Sequence, residues 1–367
     1  MTVDSPLGIG VVAAALLLAG CGADPSGVGR TPDNRAENLI CSIPTSDIQS
    51  GGPGKDGIPA LTNPPLTGSF DAGAQYLRDF DRVIGIVLPE RTVAIPLNIL
   101  WWHEIVNMDV GPLSLAVTHC PLTGSSLVFD RGPMDGAEFG VSGLLFQNNM
   151  LMYNRSTGES LWPQMSRGAR CGPRDGTELD MIASTEMSWA GWRSLHPNTF
   201  VVGSNTGHDR DYNLYPYGRY DDPTNAELLF PLSGGVDRRR PPKERVLGIP
   251  EGEGEGVALP YGELRRSGNL SVANLVADGR EIVVLWSSAA EGAAAFEPFL
   301  EDGTRVTLRV KDGAFVDEET GSVWGLHGSA YQGPLRFRRL KPYDEAYVAY
   351  WFAWAAFHPE TRIWPNE

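Results

Sequence analysis

Short apolar runs, broken every few residues by Gly, Pro, Asp or Asn, dominate the chain. Residues 83–88, 113–118 and 127–130 are rich in β-branched or large apolar side chains and are bounded by turn formers, as strands are. Residues 246–249 and 282–286 repeat the pattern later in the chain. Residues 97–106 differ: their apolar positions are denser and follow Pro96, which predicts a short helix with proline near its first turn. Trp189 with Trp192, and Trp351 with Trp354, lie three residues apart and run into His-Pro, predicting two more short helices stopped by Pro197 and Pro359. The pattern as a whole predicts a mainly β fold with short helices (α+β).

Set against itself, the chain shows one block twice. RVIGI at residues 82–86 recurs as RVLGI at 245–249, and VAIPLNIL at 93–100 recurs as VALPYGEL at 257–264. Thr157, Gly158 and Trp162 answer to Thr320, Gly321 and Trp324, and Gly172 with Pro173 to Gly333 with Pro334. Trp189, Trp192, His196, Pro197 and Thr199 reappear with identical spacing as Trp351, Trp354, His358, Pro359 and Thr361. The offset stays near 163 (245 minus 82), too long for a solenoid, whose units run ~20 to 50 residues. Two tandem diverged β-rich repeats, 76–202 and 243–367, are therefore expected to form a pseudo-symmetric body. The linker between them, 203–242, carries Tyr212, Tyr215, Tyr217 and Tyr220 and reads as an ordered surface loop with aromatic pegs.

The first residues change the picture of where this body resides. Residues 6–18 are apolar and uncharged, too short to span a bilayer but suited to the apolar core of a signal peptide. They end in Leu18, Ala19, Gly20 and Cys21, which resembles a lipoprotein cleavage motif and implies a signal peptide over 1–20 and acylation of Cys21. An uncleaved anchor is the other reading, because no Lys or Arg precedes the apolar run. Residues 21–75 are then a lipid-anchored tether and N-terminal segment. Export to the extracytoplasmic side and attachment to a lipid bilayer follow as expectations. The net charge of -15 opposes nucleic acid as a partner, since polyanion binding needs clustered Lys and Arg. In an oxidising compartment Cys41 and Cys171, both in Gly/Pro-flanked segments, are candidates for a bridge, with Cys120 left over.

Residues present in both repeats are expected to be architectural, and polar residues present in one are better candidates for chemistry. His196 and His358 fall to structure by this test, each donating to nearby carbonyls. The first repeat alone carries Trp102, His103 and Glu104, then His119 and Cys120; the second has GNLSVAN at 268–274 and WSSAAEG at 286–292 in their places. Imidazole with thiolate suits copper, zinc or iron, so His103, His119 and Cys120 form a candidate metal set, with Met150 a further candidate ligand. A second reading makes Cys120 a nucleophile or redox thiol activated by imidazole that Glu104 orients. A third leaves Cys120 and His103 as satisfied core residues, and a fourth has Trp102, His103, Glu104, His119 and Cys120 bind a ligand without chemistry. A non-catalytic cell-envelope binding or scaffold module, using the linker tyrosines and exposed aromatics to hold saccharide or a partner protein, is the alternative from another class.

The same stretches carry a family resemblance. SGGPGKDGIPAL (50–61), DRVIGI (81–86), WHEIVN (102–107), THCPLTGSSLVFDR (118–131), FGVSGLL (139–145) and MYNRSTGESLW (152–162) resemble the bacterial family DUF3179. The resemblance implies exported or lipid-anchored proteins without an established activity. Many relatives are expected to have a second cysteine three residues after the first; Thr123 stands there in this chain, leaving a single thiol. Lys55, Asp56 and Gly57 read as a turn in which Gly57 supplies positive φ, with Asp56 a further candidate for the same pocket.

Overall fold

A computed structural model describes residues 39–365. The segment expected to be a signal peptide, Cys21 and the expected tether up to residue 38 lie outside the described residues. Among those described, the protein is mainly β, with four seven-residue α-helices: α1 (Leu97–His103), α2 (Trp189–Leu195), α3 (Tyr261–Ser267) and α4 (Trp351–Phe357). No helix among them is long and apolar enough to cross a membrane.

The two halves run through the same order of pairings. In the first, Arg82–Val87 pairs antiparallel with Thr92–Pro96 and with Thr185–Ser188, while Thr92–Pro96 pairs parallel with Phe200–Val202. In the second, Arg245–Pro250, Gly256–Pro260, Tyr347–Tyr350 and Arg362–Ile363 adopt the same arrangement. A meander follows in each: Ile105–Val110, Leu113–Cys120 and Ser125–Asp130 in one, and Leu270–Ala277, Arg280–Ser287 and Gly292–Leu300 in the other.

The residues common to both halves explain why each half folds this way. α2 and α4 lay a tryptophan flat on the glycine of the RVxGI strand. A Cβ on Gly85 would stand 2.2 Å from the Trp192 ring, and one on Gly248 2.1 Å from the Trp354 ring, so no larger residue fits without displacing the helix. The indole Nε1 of Trp192 donates to Thr199 Oγ1 at 3.0 Å, and that of Trp354 to Thr361 Oγ1 at 2.8 Å. The repeated Gly, Trp and Thr thus form one lock, made twice. His358 fills its expected role, with Nδ1 2.8 Å from the Glu255 carbonyl. His196 does not: its Nε2 is buried without a hydrogen-bond partner, and its ring packs between Trp192 and His327.

Two local expectations are corrected. The helix expected over 97–106 stops at His103, because Glu104 takes a φ of 56° and sends residues 105–110 into a strand. In the turn at 55–57 it is Asp56, at φ 55°, and not Gly57 that occupies the left-handed region.

Backbone hydrogen bonds cross between the halves in matching fashion. Ser188 N donates to Ala290 O and Tyr350 N donates to Thr123 O, both at 2.8 Å. Val348 of the second half also pairs with Ser126 of the first, so one eight-stranded sheet runs through both. The N-terminal segment is woven into the first half: Ile48–Ser50 pairs with Phe139–Phe146, and Cys41 forms a disulfide with Cys171. The linker tyrosines point inward. Tyr212 and Tyr220 are buried, and Tyr215 and Tyr217 pack against the core.

Candidate functional site

Strand geometry decides which candidate residues meet. Leu113–Cys120 is a central strand of its sheet, and successive side chains on a strand face opposite ways. Cys120 therefore turns into the apolar core, where it is 1% exposed and contacts Asn148 O at 3.7 Å. Burial, reinforced by the Glu104 carboxyl, pushes its thiol up to about 11. A thiol that holds its proton at neutral pH is poorly suited to attack a substrate or bind a metal as thiolate. Glu104 is likewise buried, and burial pushes its carboxyl up to about 8.

His103 is fully occupied. Its Nδ1 lies 2.7 Å from Pro59 O and its Nε2 2.8 Å from the Tyr212 hydroxyl, tying the N-terminal segment and the linker to α1. Trp102 donates from Nε1 to Leu214 O at 3.3 Å and holds the linker as well. The candidate metal set is accordingly not assembled: His103 spends both nitrogens on structure, Cys120 faces the core and His119 faces away from it. Met150 is a core residue beside Cys120. No group of three or more His, Cys, Asp or Glu side chains among the described residues is placed to hold a metal ion. Asp56 is apart too, bonded to Tyr153 and, at 2.7 Å, to Arg155 near the surface.

His119 is the candidate that reaches open space. It lines a cavity of about 560 Å³ where the halves and the linker meet. Arg82, Glu186 and Ser188 of the first half, Arg245, Glu291 and Tyr350 of the second, and Tyr215 and Asp221 of the linker share its wall. Gly124 lies against the Tyr350 ring, where a Cβ would come within 2.7 Å, so its lack of a side chain keeps that corner open.

The hydrogen bonds behind His119 fix its tautomer. Arg82 Nε donates to Glu186 Oε1 at 2.5 Å, and Arg245 Nε stands 3.9 Å from the same oxygen. Burial pushes the Glu186 carboxyl up, but these guanidinium groups outweigh it and hold it below its ordinary value, so Glu186 is an acceptor only. Ser126 Oγ has one proton, donated to Glu186 Oε2 at 2.5 Å. The serine oxygen must then accept from His119 Nδ1–H, 3.0 Å away. Burial holds the His119 ring down at about 4, so the ring is neutral near pH 7. With Nδ1 protonated, Nε2 carries the lone pair, and the ring's other polar contact is with the Ser125 backbone. A cavity-lining imidazole in this state can accept from a ligand N–H or O–H, or take a proton.

Sequence reasoning passed over Arg82, Glu186, Arg245, Asp221 and Tyr350. The two arginines were visible as the first residue of the repeated RVxGI run, and recurrence marked them as architectural. The cavity lies where equivalent positions face one another: Arg82 and Arg245, Ser188 and Tyr350, and Gly124 and Glu291 all line it. Repetition thus pointed to the site as well as to the core.

The family model described as Protein of unknown function (DUF3179) matches residues 55–361. No curated protein and no solved structure matches the chain.

Proposed function

From the premise that this chain belongs to the DUF3179 family, we propose that it is an exported, lipid-anchored protein that binds a small organic ligand in the cavity lined by His119. The observation that carries this reading is the relay Arg82–Glu186–Ser126–His119, which leaves the lone pair on Nε2 of a cavity-lining ring. The buried charge pair is satisfied by close geometry and a further hydrogen bond, and it holds the His119 ring at the cavity wall. The volume falls in the range of small-molecule sites, ~300 to 1,000 Å³. The metal half of the expectation contracts to one imidazole nitrogen, and the thiol half has a protonated, buried sulfur. An organic ligand is therefore the reading favoured. The scaffold alternative drew on the linker tyrosines and on exposed aromatics; the tyrosines pack inward in the fold, while Phe70, Phe80, Tyr331 and Phe337 are exposed.

Export and acylation at Cys21 rest on the apolar run at 6–18 and the cysteine that follows it. The Cys41–Cys171 disulfide supports an oxidising compartment. Acyl transfer is tested by mass spectrometry of the mature protein: a diacylglyceryl adduct on wild type and none on Cys21→Ser is expected, and an unmodified wild type overturns the anchor. Ligand binding is tested by native mass spectrometry of wild type and His119→Ala after exposure to a small-molecule extract. An adduct on wild type that His119→Ala loses, while melting normally, is expected; identical adduct spectra would sink the cavity reading.

A further inference from the structure

Most charges in the wall of the cavity are already neutralised. Arg82 is spent on Glu186, Glu291 on Arg265 at 2.8 Å, and Asp79 on Arg193 at 3.0 Å. Asp81 accepts from the Arg78 backbone N–H at 2.8 Å and from Asn98 at 3.4 Å. Asp81 thus has only neutral donors for partners, and Arg245 and Asp221, of opposite sign, are the charged groups of the wall that make no side-chain hydrogen bond among the described residues. Arg245 has as its nearest carboxylate Glu186, 3.9 Å from Nε on an oxygen that Arg82 already occupies. Asp221 makes no ion pair within 4.0 Å among the described residues, and burial raises its carboxyl above its ordinary value. The two share the cavity without closing on each other.

An anionic ligand would meet Arg245 favourably and Asp221 unfavourably, and a cationic ligand would meet the reverse. A ligand bearing both charges satisfies both of these half-buried groups at once. The remaining features suit the cationic end of such a ligand. His119 can accept a hydrogen bond, and the aromatic rings of Tyr215 and Trp101 line the same wall. The planar guanidinium of Arg245 suits a carboxylate, which it can grip through two parallel N–H bonds.

Building on the cavity reading above, we propose that the ligand is a small zwitterion, a free α-amino acid, whose carboxylate is received by Arg245 and whose ammonium is received by Asp221 and His119. The cavity is larger than an amino-acid backbone needs, which leaves room for a side chain against the aromatic wall.

The test is calorimetric titration of the full mature protein with the standard L-amino acids, their N-acetyl and carboxamide derivatives, and neutral saccharides. At least one free amino acid should bind, and blocking either end should weaken it by about tenfold or more, the worth of one charge-assisted hydrogen bond. Asp221→Asn should abolish the preference for the free amine over the N-acetyl form. Arg245→Gln should abolish the preference for the carboxylate over the carboxamide. Asp221→Asn keeps the shape of its side chain, so it tests the assignment even where Arg245→Gln fails to fold. Equal binding of free and blocked forms overturns the zwitterion. Binding of a saccharide alone, lost in His119→Ala, overturns the zwitterion and leaves the cavity as a ligand site. If none of these probes binds, the zwitterion is overturned, and the fate of the cavity rests on the extract experiment.

Discussion

His119 and Cys120 are neighbours on one strand and live in different solvents. The first has its ring held by a hydroxyl and a carboxylate at the edge of a cavity; the second has its sulfur among core side chains. Sequence proximity suggested a shared site, and the pleat of the strand separates them. The lesson is that a polar cluster absent from one repeat can still divide, part going to the core and part to the cavity.

The comparison can be broken or sharpened by mutation. The largest effect is expected on the core side, at Glu104. Its folded carboxyl is raised to about 8 from an ordinary value of 4.5, so the native state holds a proton that the unfolded state has lost between those values. The stabilisation is complete below 4.5 and is lost as pH rises through 8, with a slope approaching about 1.4 kcal/mol per pH unit in the window. Denaturant titrations from pH 5 to 8 should show this fall in wild type relative to Glu104→Gln. Parallel curves would mean that Glu104 ionises freely.

Next in size, Cys120→Ser places a hydroxyl among apolar neighbours and should cost about 1 to 3 kcal/mol of stability with ligand affinity unchanged. A variant as stable as wild type but deficient in binding would reverse the roles given to the two faces. The smallest stability effect is expected for His119→Ala, within about 1 kcal/mol, because Ser126 keeps its bond to Glu186 and the ring borders open space. Its cost should instead fall on ligand binding. The ring itself can be watched by NMR, where a neutral Nδ1–H tautomer should persist down to about pH 5; a resonance titrating near 6.5 would contradict the burial assigned to it.

Much of the architecture was legible because it rests on local signals. The Trp pairs with their His-Pro stops marked α2 and α4, and the apolar runs marked the strands they became. The helix over 97–106 overshot because apolar content continued past Glu104, whose left-handed backbone leaves no trace in hydropathy. The cavity was not legible for a different reason. Its wall draws on residues as far apart as Arg82 and Tyr350, brought together by the pairing of Val348 with Ser126, a contact that joins the halves and has no signature within either. His119 stood out as a candidate because its counterpart in the second repeat, Trp286, is apolar. Its partners Ser126 and Glu186 lie on separate strands and carry no motif of their own.

The reciprocal bonds from Ser188 to Ala290 and from Tyr350 to Thr123 also bear on how the protein would withstand a protease. A cut in the exposed stretch around Gly234 and Gly235 would sever the covalent path between the halves while leaving both bonds and the shared sheet in place. The fragments should stay together through gel filtration and separate only in denaturant, with His119 and Arg245 still facing the same space although they then belong to different polypeptides.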